Sequence, residues 1–100
     1  PIIAPRGAVN FAFGGTGTPV VDQTPGGLYA PGLRGQVELF GLSLRGRRPS
    51  RAALYAIVTG ANDYSATPFN TPMRPRDVVQ NLSDAVERLY AFGARDIVLL

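Results

Sequence analysis

The apolar positions of this chain repeat in two ways. Leu33, Val37, Phe40 and Leu44 recur every three or four residues, which predicts a helix over about Leu33 to Leu44. Gly41 weakens that helix, and Gly46 is placed to end it. Val78, Val79, Leu82, Ala85, Val86, Leu89 and Tyr90 form a longer stripe of the same period. Pro75 suits the first turn of that second helix, Asp77 lies near its positive end, and Gly93 suits the position just past its last turn. The remaining apolar segments read as strands. Val9-Asn10-Phe11-Ala12-Phe13 is a short β-rich run closed by Gly14-Gly15. Ala53 to Thr59 is a continuous apolar run of strand length, as in strands buried on both faces of a parallel sheet. A third strand opens at Asp96-Ile97-Val98-Leu99-Leu100. From Gly14 to Pro31 no period survives among many Gly, Thr and Pro, which predicts a long loop. A second loop runs from Tyr64 to Arg74.

The predicted order is strand, helix, strand, helix, strand. It implies an α/β fold with right-handed crossovers and a parallel sheet covered by helices on both sides. Ligands in such sheets bind beyond the carboxyl ends of the strands. Gly14-Gly15-Thr16-Gly17-Thr18 and Gly60-Ala61-Asn62-Asp63 follow two of the predicted strands, so the fold should bring them to one edge.

Composition narrows the function classes. At 100 residues and 45% apolar, the chain is expected to be globular, with one small core. It has no cysteine, which excludes disulfides and thiolate metal sites. It has no histidine, so the commonest general base is missing. Net charge is +3 and every basic residue is arginine. Arg45, Arg47, Arg48 and Arg51 cluster after the first helix, where cations complement the helix dipole. No aromatic residues interleave with them, so no nucleic-acid partner is expected. No apolar stretch is long enough for a membrane span. The start at Pro1 and the end within an apolar run are expected to be cuts through a longer protein.

Two segments carry a family resemblance. Asn10 through Thr18 resembles the second conserved block of GDSL-type (SGNH) ester hydrolases, and Gly60-Ala61-Asn62-Asp63 matches that family's third block, Gly-x-Asn-Asp. Gln36-Val37, Ala53-Leu54-Tyr55, Asn81-Leu82 and Leu89 through Arg95 also fit, so the resemblance covers almost the whole chain. It implies that residues 1–100 are part of one domain with a three-layer α/β/α flavodoxin-like fold. It further implies hydrolysis of small-molecule or lipid esters through an acyl-serine intermediate, with no cofactor. The oxyanion hole of the family uses the nucleophile's own N–H, a glycine N–H and an asparagine side chain. Carried over, the glycine is Gly15, with Gly14 as the alternative, and the asparagine is Asn62. Asp63 and Asn10 are expected to be structural. The family's Gly-Asp-Ser-Leu and Asp-x-x-His blocks are missing, and Ser43, Ser50, Ser65 and Ser83 lie in other contexts. The segment alone is therefore expected to be inactive. It is also expected to be poorly stable, because the family's first strand would lie between the strands at Val9–Phe13 and Ala53–Thr59. Localisation stays open, with export suggested only by analogy.

The chemistry of these residues suits that role. Preorganised N–H donors stabilise the charge of a tetrahedral intermediate. Glycine lets a backbone N–H approach a ligand closely, and asparagine donates without adding charge. Plainer roles compete: Gly14 and Gly15 could simply turn the chain, and Asn62 or Asp63 could cap a local turn. Tyr64 and Phe69 could line an acyl pocket or merely cover the core. A nucleotide-binding loop is a weaker reading, since a third glycine is absent, Pro19 falls where a helix should start, and no lysine is present. A non-catalytic α/β interaction module on the same scaffold is the other alternative.

Overall fold

A computed structural model describes residues 2–3, 8–24, 27–64 and 72–100. The elements are β1 (Ile2–Ile3), β2 (Val9–Asn10), β3 (Val21–Gln23), β4 (Tyr29–Pro31), α1 (Leu33–Ser43), β5 (Leu54–Ile57), a 3-10 turn (Ala61–Tyr64), α2 (Pro75–Phe92) and β6 (Asp96–Leu99). The architecture is mixed α/β. β5 and β6 pair in parallel, from Leu54 opposite Asp96 to Ile57 opposite Leu99. β1 with β2, and β3 with β4, pair antiparallel.

Both helices form where their apolar stripes predict. α2 starts with proline in its first turn and buries Val78, Ala85 and Leu89. It stops at Gly93, whose N–H donates to the carbonyls of Leu89 and Tyr90. α1 buries Leu33, Gly35 and Val37. The two helices pack on each other and on one face of the parallel sheet. Their shared core is Leu33, Val37, Ile57, Ala85, Leu89 and Ala94. Phe40 binds this core together edge-on, with ring centroids 5.7 Å from Phe11, 5.7 Å from Tyr55 and 6.2 Å from Phe92. Such edge-to-face pairs contribute about 0.5–1.5 kcal/mol each beyond the area they bury. On the helix surface, Arg88 Nε donates to Glu38 Oε1 at 2.8 Å, and its guanidinium lies 4.4 Å above the Phe92 ring. That hydrogen bond holds the Glu38 carboxyl below its usual pKa.

Among the described residues both helices lie on one side of the parallel sheet: Tyr55 and Ile57 face them, while Leu54, Ala56 and Val58 are exposed on the other face. Two expectations are corrected. The strand expected over Val9–Phe13 in a parallel sheet is only Val9–Asn10, and it pairs antiparallel with β1. Asn10 ends it: its Oδ1 accepts the Ala12 N–H at 2.8 Å, which diverts that amide from a ladder. The long loop from Gly14 to Pro31 contains the β3–β4 hairpin, whose Val21 and Tyr29 are exposed. A groove of about 810 Å³ runs between residues 8–13 and β5, with Leu33, Val37, Phe40 and Leu89 lining it from the core side. No helix among the described residues is long and apolar enough to cross a membrane.

Candidate functional site

The two segments singled out in the sequence meet. Gly14 and Gly15 turn the chain after Phe13, and the Thr16 hydroxyl donates to the Phe13 carbonyl at 2.8 Å to hold that turn. Gly15 has φ +79°, a left-handed conformation that side chains with a Cβ rarely adopt. The loop then runs along the start of α1. Leu33 N–H donates to the Gly17 carbonyl at 2.8 Å and Arg34 N–H to the Thr18 carbonyl at 3.3 Å. These bonds satisfy first-turn donors that no side chain caps.

The 3-10 turn after β5 supplies the other half. Asn62 Nδ2 donates to the Thr16 carbonyl at 3.0 Å. Asp63 is only 2% exposed, and its Oδ1 accepts from Thr18 N at 2.9 Å and Thr18 Oγ1 at 2.7 Å. Gly17 makes this approach possible, since a Cβ there would fall 2.6 Å from Asp63 Oδ1 and 2.8 Å from Oδ2. Buried polar groups must be paired to avoid a desolvation penalty, and here the pairing joins segments that lie 45 residues apart. Asp63 thus ties the turn after β5 to the loop before α1.

Gly15 and Asn62 are therefore brought together, because Asn62 bonds to the residue that follows Gly15. The Gly15 N–H donates to no acceptor among the described residues. Gly14, the alternative donor, has open space within 4 Å of where a Cβ would stand. Ser43 and Ser83 lie in helices, and the Ser43 hydroxyl donates back to the Phe40 carbonyl at 2.6 Å. Ser50 lies in the loop before β5, while Ser65 and Phe69 lie outside the described residues. Tyr64 is half exposed and ends the 3-10 turn.

Several residues of this cluster carry no signal in either sequence block. Asn81 Nδ2 donates to Thr18 Oγ1 at 3.1 Å, and Arg34 reaches Asn81 Oδ1 at 3.4 Å. Asp22, in β3, accepts from Gly17 N at 2.7 Å. Gln36 Nε2 donates to Thr16 Oγ1 at 3.2 Å. Asn81 could have been found: it is a polar residue three after Val78 and four before Ala85, within the buried stripe of α2. No group of three or more acidic residues among those described is placed to hold a metal ion. Comparison with protein-family models, curated proteins and solved structures returns no match.

Proposed function

We propose that this chain contributes the oxyanion hole of a serine ester hydrolase of the GDSL type, acting on carboxylic esters. The observation that carries the reading is the bond from Asn62 Nδ2 to the carbonyl of Thr16, the residue after Gly15, whose N–H has no acceptor among the described residues. In this reading Gly15 N–H and Asn62 Nδ2 donate to the carbonyl oxygen of the ester. A serine nucleophile, its histidine base and the acid that orients the histidine lie outside residues 1–100. As the serine attacks, charge moves onto the carbonyl oxygen, and these two donors stabilise it. The hydrolysis needs no cofactor. The buried Asp63–Thr18 link ties together the two segments that carry the donors.

A three-layer α/β/α sandwich would place a further parallel strand between residues 8–13 and β5. The groove of about 810 Å³ at that position, lined from the core side by apolar side chains, supports it. Leu54 and Val58 are 70% and 73% exposed, which fits a sheet whose second face is covered by more of the same domain. The rival use of the glycine loop for a nucleotide phosphate has less room. Phosphates bind at free helix N-termini, and here Gly17 and Thr18 carbonyls occupy the amides of Leu33 and Arg34.

The test is steady-state kinetics of the full-length protein with short-chain esters. Asn62→Ala should lower kcat about 10²- to 10³-fold with little change in KM, because the partner oxygen becomes charged only in the transition state. Asn62→Asp should be at least as harmful, since it can set negative charge beside the oxyanion. A folded Asn62→Ala variant with near-normal kcat would remove the assignment and return Asn62 to a turn residue.

A further inference from the structure

We infer that Thr18 and Asp63 are the positioning pair that fixes where Asn62 presents its amide, an inference that rests on the oxyanion reading above. Asn62 and Asp63 are consecutive residues of one short 3-10 turn, so fixing one side chain fixes the backbone that carries the other. Both donors of Thr18 converge on a single oxygen, Asp63 Oδ1, at 2.9 Å from N and 2.7 Å from Oγ1. Thr18 is fully buried.

The direction of the hydroxyl bond follows from donor chemistry. Asn81 Nδ2 has only protons to offer, so at 3.1 Å Thr18 Oγ1 must accept from it. The amide assignment agrees with the Arg34 contact to Asn81 Oδ1 at 3.4 Å. The single hydroxyl proton is then left for Asp63. A chain of bonds runs from α2 through Asn81 and Thr18 to Asp63 and the turn that carries Asn62.

The two oxygens of Asp63 are held differently. Asp63 Oδ2 is buried with no hydrogen-bond partner among the described residues. Leaving a buried polar atom unpaired works against stability, and such atoms call for a reason beyond packing. Oδ1 is held from two sides, and that alone fixes the direction of the carboxyl. The demand on geometry is steep, because a misplacement of about 1 Å at a reacting centre can cost 10²-fold in rate.

The experiment uses the full-length protein with ¹⁵N-labelled asparagine, and the variants Thr18→Val and Thr18→Ser. Valine keeps the shape and the backbone donor but removes the hydroxyl, whereas serine keeps both donors. Thr18→Val should move the Asn62 side-chain amide resonances toward those of an unstructured amide, and should lower kcat roughly ten- to a hundredfold with KM within about twofold. Thr18→Ser should restore both. In an Asn62→Ala background, Thr18→Val should cost no further kcat, because its effect passes through Asn62. Asn81→Ala frees the hydroxyl to rotate and should shift the same resonances less far, which keeps the test intact if Thr18→Val does not fold. Lower thermal stability with unmoved Asn62 resonances and unchanged kcat would overturn the inference, as would a kcat loss additive with Asn62→Ala. If Asn62→Ala itself leaves kcat unchanged, the oxyanion reading fails, and the resonances still decide whether Thr18 positions the side chain.

Discussion

A single methyl group added at Gly17 tests the buried contact at the heart of this site. In Gly17→Ala the new carbon would stand 2.6 Å from Asp63 Oδ1, 2.7 Å from Cγ and 2.8 Å from Oδ2, inside the distance real Cβ atoms tolerate. Something must move. If the loop shifts to make room, the cost is that of overpacking a filled interior, about 1–3 kcal/mol. If Asp63 swings away instead, the buried Thr18 N–H loses its acceptor, which also costs about 1–3 kcal/mol. The two routes give the same range, so a loss near 2 kcal/mol follows whichever is taken. Gly14→Ala is the control, since nothing lies within 4 Å of its Cβ position and alanine also restricts the unfolded chain. Urea denaturation of both variants against the parent reads the difference directly. A Gly17→Ala protein within about 0.5 kcal/mol of the parent, the usual span of harmless surface changes, would show that the Asp63 carboxyl does not fill the space beside Gly17.

Leu89→Ala removes a side chain that is 5% exposed at the junction of both helices, and should cost about 2–5 kcal/mol in the same denaturation assay. Glu38→Gln should lower stability slightly at neutral pH, since both partners of the Arg88–Glu38 pair are about half exposed. The bond from Arg88 depresses the folded-state pKa of Glu38 below its ordinary value of 4.5, so the stabilisation is present above that value and lost as pH falls through the lowered one. The gap between parent and Glu38→Gln should therefore close below about pH 4.5, and a gap that stayed constant on acidification would refute the pairing.

The helices were legible in the sequence because burial and period coincide in them. Val78, Ala85 and Leu89 are both the spaced apolar residues of α2 and its buried ones, and Pro75 and Gly93 mark its ends. The apolar run at Ala53–Thr59 is a strand over Leu54–Ile57, but its length of apolar sequence does not report which face is covered. The β3–β4 hairpin was not legible. Its Val21 and Tyr29 are 60% and 75% exposed, so no buried face imposes an alternation, and Gly and Pro on either side read as loop. At Val9–Phe13 the composition suits a strand, yet the Asn10 side chain competes locally for the Ala12 amide. The sequence does predict that Gly14–Thr18 and Gly60–Asp63 come to one edge, although Val9–Asn10 pairs in a separate antiparallel ladder rather than in the parallel sheet. The supports from Asp22, Gln36 and Asn81 were not legible, because a hydrogen bond between distant segments leaves no periodic trace.

The parallel pairing of β5 with β6 also sets an order on how the chain can fold. The hairpin joins Val21 to Pro31, whereas the parallel ladder joins Leu54 to Asp96 across the whole of α2. That closure is longer by roughly two doublings, an added entropic cost of only ~1.2 kcal/mol. The larger obstacle is that the ladder is non-local, and non-local pairing slows folding; α2 spans that gap and packs its Ala85 and Leu89 in the same core as Leu33 and Val37. Strengthening α2 on its exposed side should then speed folding more than stiffening the hairpin does.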